Sequence, residues 1–296
     1  SCAIFSLLFS LLPLQLLPGL GQEAGAEALD AFFAHTPRLA VAFSGGCDSS
    51  YLVAAARHAG VDVRAYLVRT AFQLPCEIAD AERLAAELGF ELAIVDADVL
   101  AEDAICANPP DRCYRCKRFI FSTILKRLEE DGLAGTPLAD GTNATDDPAR
   151  RPGFRALAEL DVVSPLRRAG LGKDDVRAAS RGLGLFTAGK PSFSCLAVYV
   201  PEGERITAAS LKAAARSPEV VSRLVTRNAA IGVDLDTVYS ADGVVAHLVE
   251  GAEGGQGAAG ATAAGAPAGG KAPNAAAAAA FGGARAFGGM EAEGVR

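Results

Sequence analysis

Histidine is scarce in this chain: there are three, His35, His58 and His247, and none sits inside a motif. Acid–base chemistry built on imidazole is therefore not expected. Runs of basic residues are also missing. The 296 residues include 28 Lys and Arg against 35 Asp and Glu, a formal charge of −7, and the cations are dispersed. Such a surface repels a phosphate backbone, which counts against a nucleic-acid partner, although local basic grooves survive in acidic proteins. Seven unevenly spaced cysteines are too few for a disulfide scaffold. No internal repeat is present. The glycine-rich turn at Ser44–Ser50 follows neither G-x-x-x-x-G-K-[ST] nor G-x-G-x-x-G, so it is not an ordinary P-loop and a dinucleotide fold is disfavoured.

What is present suits a globular enzyme. Half of the residues are hydrophobic and 21% are charged, enough apolar material for a core in one large domain or two small ones. The chain opens at Ser1 without Met, and Cys2 to Leu20 is almost wholly apolar. Pro13 and Pro18 interrupt that stretch and it lacks a basic flank, so it makes a poor transmembrane helix and an incomplete signal peptide. A truncated or misread N-terminus is the expectation, with an export signal as the alternative. A cytoplasmic location without a membrane partner fits best.

From Arg38 onward, short apolar runs alternate with helical patterns. Strands are expected at Arg38–Phe43, Val63–Val68, Glu91–Val95 and Pro137–Ala139, with helices at Ser49–Ala59, Glu77–Leu88, Cys116–Leu128 and Asp174–Leu183. This alternation predicts an α/β fold, a parallel sheet of about five strands with helices on both faces. After about Ser192 the pattern weakens. A helix at Thr207–Ala215 and two short strands within Leu235–Glu250 would make a small C-terminal α+β region. From Gly251 to Arg296 the sequence is chiefly Gly and Ala, which reads as a disordered tail. The expected divisions are thus 1–21, 22–191, 192–250 and 251–296.

The strongest local signal follows the first strand. Val41-Ala42-Phe43 leads into Ser44-Gly45-Gly46-Cys47-Asp48-Ser49-Ser50, a strand, a glycine turn and a helix start. Glycines let the backbone approach an anion, and the helix dipole with the hydroxyls of Ser44, Ser49 and Ser50 adds donors. Asp48 alone would repel phosphate, so its presence points to a magnesium ion between it and the oxygens. A plain connecting turn is the simpler reading, but the position after a buried strand favours a phosphate site. Cys113 and Cys116 form a C-x-x-C pair, which in a reducing compartment serves metal or redox chemistry, or arises by chance beside a helix start. Cys2, Cys47, Cys76 and Cys106 read as small packed or incidental thiols. Arg112, Arg115 and Lys117 flank the pair and would favour thiolates and phosphates, or simply form a solvated face.

S-G-G-x-D-S resembles the signature of the PP-loop ATP pyrophosphatases, which split ATP into AMP and pyrophosphate while activating a carbonyl or carboxylate. Four further stretches narrow the resemblance: Asn108-Pro-Pro-Asp-Arg-Cys-Tyr-Arg-Cys-Lys117, Asp140-Gly-Thr-Asn-Ala-Thr-Asp-Asp147, Ser164-Pro-Leu-Arg-Arg-Ala-Gly-Leu171 and Lys190-Pro-Ser-Phe-Ser-Cys-Leu-Ala197. Together these look like the LarE family, sulfur transferases that build the nickel-pincer nucleotide cofactor of lactate racemase. The resemblance runs from about Ala40 to Thr207. It implies ATP bound by Ala42, Phe43, Ser44, Gly45, Gly46, Asp48, Ser49, Ser50, Gly141 and Thr142, magnesium on Asp48, and adenylation of a pyridinium dicarboxylate mononucleotide. It implies catalytic roles for Asp48 and Cys195.

Single-cysteine members sacrifice the thiol matching Cys195, leaving dehydroalanine. Three-cysteine members, matching Cys113, Cys116 and Cys195, are associated with a 4Fe-4S cluster, and this chain has all three. Two departures stand out. Val198-Tyr199 occupies the place where the family usually has Ser-Arg, and Val238–Asp242 lacks the usual arginine pair. The expected function is an ATP-dependent sulfur transferase acting on a small nucleotide, with self-association left open. The alternatives are a tRNA thiolase, which also pairs a PP-loop with three cysteines and a cluster, and a nucleotide-binding paralogue without catalysis.

Overall fold

The computed structural model describes residues 20–149 and 151–232. Within them the chain runs α1 (Leu20–Ala34), β1 (Arg38–Ala42), α2 (Cys47–His58), β2 (Asp62–Arg69), α3 (Pro75–Leu88) and β3 (Glu91–Asp96). It continues through α4 (Asp103–Cys106), α5 (Arg112–Glu130), β4 (Leu138–Ala139), α6 (Phe154–Glu159), α7 (Pro165–Arg168) and α8 (Lys173–Gly182). Two 3-10 turns, Phe186–Gly189 and Leu196–Tyr199, precede α9 (Ala208–Ala215) and α10 (Pro218–Ala230).

The strands form one parallel sheet in the order β3-β2-β1-β4. Val41 pairs with Ala65 on one side and Ala139 on the other. Side chains alternate across β1, so Leu39 and Val41 face one layer while Ala40 faces the opposite one. On the first face Leu39, Val41, Val63, Ala65 and Leu67 pack with Leu29 and Phe33 of α1, Leu52 and Val53 of α2, Leu84 of α3 and Val176 of α8. On the second, Ala40, Tyr66, Val68 and Leu138 pack with Tyr114, Phe121, Ile124 and Leu128 of α5 and Leu157 of α6. Both faces are therefore covered by helices, as a parallel sheet requires. Fully burying each large aliphatic side chain contributes roughly 1.5–3 kcal/mol.

Local chemistry explains the element ends. Pro75 opens α3, where a missing N–H costs nothing, and Gly89 closes it at φ 67°, a left-handed conformation suited to glycine. Tyr114, Phe121, Ile124 and Leu128 recur at helical spacing and give α5 its buried stripe. A third cluster joins Phe72, Leu74, Val99 and Ile105 to Leu196, Val200, Leu211 and Leu224. Residues beyond Ser192 thus share a core with the loops that follow β2 and β3.

Some expectations need correcting. Among the described residues the sheet has four strands rather than about five, because the next segment contributes a single parallel bridge, Ala139 with Val163. Helix α5 starts at Arg112 instead of Cys116, directly after the Pro109-Pro110 loop that masked its first turn. Helices α1, α4, α6, α7 and α10 were not anticipated. The described part of 192–232 holds one 3-10 turn and the helices α9 and α10, joined by irregular segments and without a strand. The two strands expected within Leu235–Glu250, the tail from Gly251 and the apolar residues 1–19 lie outside the described residues.

Candidate functional site

Strand order decides where a ligand can sit. The chain passes from β1 outward to β2 and β3, then returns to add β4 on the other side of β1. Loops leaving β1 and β4 therefore diverge, and the crevice beyond their carboxyl ends is the usual ligand position in open α/β sheets. Ser44–Gly46 leaves β1 there, and Asp140–Asn143 leaves β4 beside it.

The turn after β1 is tightly built. Gly45 has φ 65°, and a methyl group there would lie 3.1 Å from the Ala81 side chain of α3. Gly46 is the N-cap of α2 and no side chain caps that helix, so its first-turn N–H groups are available to an anion. Ser49 Oγ accepts from the Ser44 N–H at 3.3 Å and donates to the Gly46 carbonyl at 3.3 Å. Ser44 Oγ stands 3.2 Å from Ser49 Oγ. Ser50 is buried, with its hydroxyl unpaired among the described residues.

Around Asp48 the loops meet. Its carboxylate accepts from Lys173 at the start of α8 and, at 3.4 Å, from the Asn143 amide. Gly141 rests on the helix start: a methyl group there would lie 2.8 Å from the Ser49 backbone nitrogen. Asp140 accepts from Ser164 Oγ at 2.7 Å and from the Thr142 N–H and hydroxyl, so the Asp140–Asn143 loop is held from within. Ala42 is half-buried, whereas Phe43 turns into the core and meets Phe90 edge to face at 5.3 Å. Phe43 can thus offer a ligand only its backbone.

The cysteines gather on the same side of the sheet. Cys113 is exposed and Cys116 half-buried, both in the first turns of α5, while half-buried Cys195 precedes the Leu196–Tyr199 turn. The Leu196 N–H donates to the Phe72 carbonyl, just past β2, at 2.9 Å. Arg112 ties the two segments together: it reaches Cys113 Sγ at 3.5 Å, and donates to the Ala197 carbonyl and Asn108 Oδ1, each at 2.7 Å. Asn108 in turn donates to the Pro201 carbonyl at 2.7 Å. Burial, then the neighbouring Cys195 and Cys113, push the Cys116 thiol up to about 12. Burial likewise raises Cys195, with Arg112 opposing it.

No model of a known protein family matches the chain. It is similar to a functionally uncharacterized protein of Synechocystis, 32% identical over 203 residues, which covers 68% of this chain and 75% of that protein. It is also similar to the pyridinium-3,5-bisthiocarboxylic acid mononucleotide synthase of Lactiplantibacillus plantarum, at 33% identity over 57% of this chain and 62% of the synthase. The tRNA-specific 2-thiouridylase of Sphingopyxis alaskensis matches at 30% identity over 56% of this chain and 53% of that enzyme. The chain belongs to the LarE family of PP-loop proteins. Thus the chain spans less than two thirds of the length of either named enzyme.

Within this LarE-family chain, the flanking cations divide. Arg112 touches a thiol, but Arg115 pairs with Asp111 at 2.7 Å and Lys117 lies 3.6 Å from Asp140. Cys47 and Cys106 are buried and Cys76 half-buried, while Cys2 lies outside the described residues. Among the described residues, no three His, Cys, Asp or Glu converge closely enough for a single metal ion. A cubane spreads its thiolates around a larger body, so the donor chemistry of Cys113, Cys116 and Cys195 still fits one. A magnesium ion fits Asp48, since it is commonly held by one or two carboxylates plus phosphates.

Sequence reasoning missed Lys173, Arg177, Asp80 and Arg227, and assigned no role to Lys190. Lys190 lay within a quoted motif and could have been flagged. The others are ordinary helix residues: Lys173, Asp80 and Arg227 have partners far away in sequence, and Arg177 meets carbonyls 11 and 13 residues on that no local pattern singles out. Among the described residues, no helix is long and apolar enough to cross a membrane.

Proposed function

We propose that this protein is an ATP-dependent sulfur transferase that adenylates a carboxylate of a small pyridinium mononucleotide and then replaces oxygen by sulfur. The observation that carries this reading is a glycine cradle at a helix start after β1, together with three cysteines whose segments are tied to one another and to the loop after β2 through Arg112 and Leu196. Two relatives support it, because their names both describe products that contain sulfur.

The first step is attack of a substrate carboxylate oxygen on the α-phosphorus of ATP, which expels pyrophosphate and leaves an acyl adenylate. Ser44–Ser50 would hold the departing phosphates through backbone N–H groups and hydroxyls, stabilising charge where it develops. Asp48 would hold magnesium, which supplies positive charge against the phosphate oxygens. Lys173, beside Asp48, is placed to balance the carboxylate while the site is empty. In the second step a sulfur nucleophile attacks the acyl carbon and AMP departs.

The sulfur has two candidate sources. The Cys195 thiolate can attack directly; loss of its α-proton then breaks the Cβ–S bond, leaving dehydroalanine and a thiocarboxylate. Alternatively Cys113, Cys116 and Cys195 would hold a 4Fe-4S cluster with one iron open, which when bound would supply sulfide. The three adjacent thiols favour the second source. A cytoplasmic location accompanies this reading, because a reducing compartment keeps free thiols such as Cys113, Cys116 and Cys195 from forming disulfides.

Purified protein given ATP, magnesium and a carboxylated pyridinium mononucleotide should release AMP and pyrophosphate. Asp48→Ala should slow this by about 100-fold or more, since a charge-stabilising group is lost at the transferring phosphates. ADP and inorganic phosphate as products would contradict the proposal.

A further inference from the structure

Beneath the glycine turn lies a buried ion network that the mechanism above does not use. Lys190 is 4% exposed and its ammonium donates to the Gly45 carbonyl at 3.0 Å and to Asp80 Oδ2 at 2.6 Å. Arg227, 2% exposed on α10, also donates to Asp80 and reaches the Cys76 carbonyl at 3.0 Å. Arg177 of α8 grips the Lys190 backbone carbonyl at 2.8 Å and that of Ala188 at 2.6 Å. Burying such charges is expensive, and a well-packed apolar group of similar size would usually serve stability as well. The network therefore calls for a purpose other than stability.

That purpose lies in the Gly45-Gly46 peptide. The two atoms that matter, the Gly45 carbonyl oxygen and the Gly46 N–H, point in opposite directions across one rigid plane. Between two glycines, that plane meets little steric resistance to turning over. Turned one way it offers an N–H to an incoming phosphate; turned the other it offers a carbonyl oxygen that repels it. Lys190 holds the oxygen inward, and the Gly46 N–H accordingly points the other way, donating to Ser44 Oγ in a long 3.4 Å bond that a phosphate oxygen would replace.

We propose that Lys190 is a positioning residue that fixes the Gly45-Gly46 peptide in its phosphate-receiving orientation, and that Asp80 and Arg227 form its buried anchor. The inference rests on the PP-loop reading of Ser44–Ser50. It also gives the segment leading to Cys195 a second duty, because Lys190 is five residues from that thiol and holds the floor of the nucleotide cradle.

Binding of ATP, pyrophosphate and adenosine to the full chain, measured by calorimetry for wild type, Lys190→Met, Lys190→Arg and Asp80→Asn, tests it. Lys190→Met should weaken ATP and pyrophosphate about tenfold, the value of one lost charge-assisted hydrogen bond. Adenosine, which has no phosphate, should bind it as it binds wild type. Lys190→Arg should recover part of the loss, and Asp80→Asn should weaken both phosphates while circular dichroism remains native. If Lys190→Met fails to fold, Asp80→Asn carries the same comparison. A folded Lys190→Met or Asp80→Asn protein with wild-type affinity for both phosphates overturns the proposal and leaves the PP-loop reading intact. Wild type that binds neither ATP nor pyrophosphate overturns both.

Discussion

Gly141 has no room for a side chain, because the start of α2 passes directly across it. Alanine there would place carbon 2.8 Å from the Ser49 nitrogen, so the loop or the helix start must move. Gly141→Ala should retain the fold, yet weaken ATP binding more than tenfold in a titration; unchanged affinity would mean this loop is remote from the nucleotide. Gly45→Ala adds a left-handed conformation at φ 65°, costing about 1–2 kcal/mol. Thiol chemistry is graded at this scale too. Cys113 is exposed, whereas burial raises Cys116 and Cys195, and the thiolate is the reactive form. In metal-free protein near neutral pH, iodoacetamide should therefore label Cys113 first, as read by peptide mass spectrometry; faster labelling of Cys116 would contradict the packing described.

Among the elements, α5 and α8 do most to assemble the site. Helix α5 sets its apolar stripe on the sheet, which fixes its first turn and with it Cys113 and Cys116. Helix α8 packs Val176 into the opposite core and sends Lys173 to Asp48 and Arg177 to the Lys190 segment. Ile124→Ala in α5 removes a side chain that is 1% exposed and should destabilise the protein by about 2–5 kcal/mol in denaturant titration. The cysteine elements also separate the two sulfur sources. If a cluster is held, anaerobically purified protein should be coloured, and Ser in place of any of Cys113, Cys116 or Cys195 should bleach it while ATP still binds. If Cys195 is sacrificed instead, its peptide should lose the mass of one H₂S after a single turnover in iron-free protein, with Cys113 and Cys116 dispensable.

For the whole molecule, the formal charge of −7 weighs on the choice of substrate. A small nucleotide releases few counterions, whereas tRNA releases many, so their affinities should respond very differently to salt. Binding of the mononucleotide should change little between low and moderate salt. Tight tRNA binding that collapses over that range would favour the thiolase alternative. The sequence by itself determined the parallel α/β layering, because short apolar runs such as Leu39–Val41 alternate with helical patterns, and that alternation makes crossover units around a sheet covered on both faces. It also marked the glycine turn and the three cysteines, since both signals are local in sequence. The tertiary structure alone decided which distant residues serve that turn. Lys173 reaches Asp48 across 125 residues and Arg227 reaches Asp80 across 147, and neither α8 nor α10 carries a local pattern that announces such a partner. Strand order, rather than any motif, made β4 the neighbour of β1, so that the Asp140–Asn143 loop starts beside the glycine turn and Gly141 rests on the start of α2.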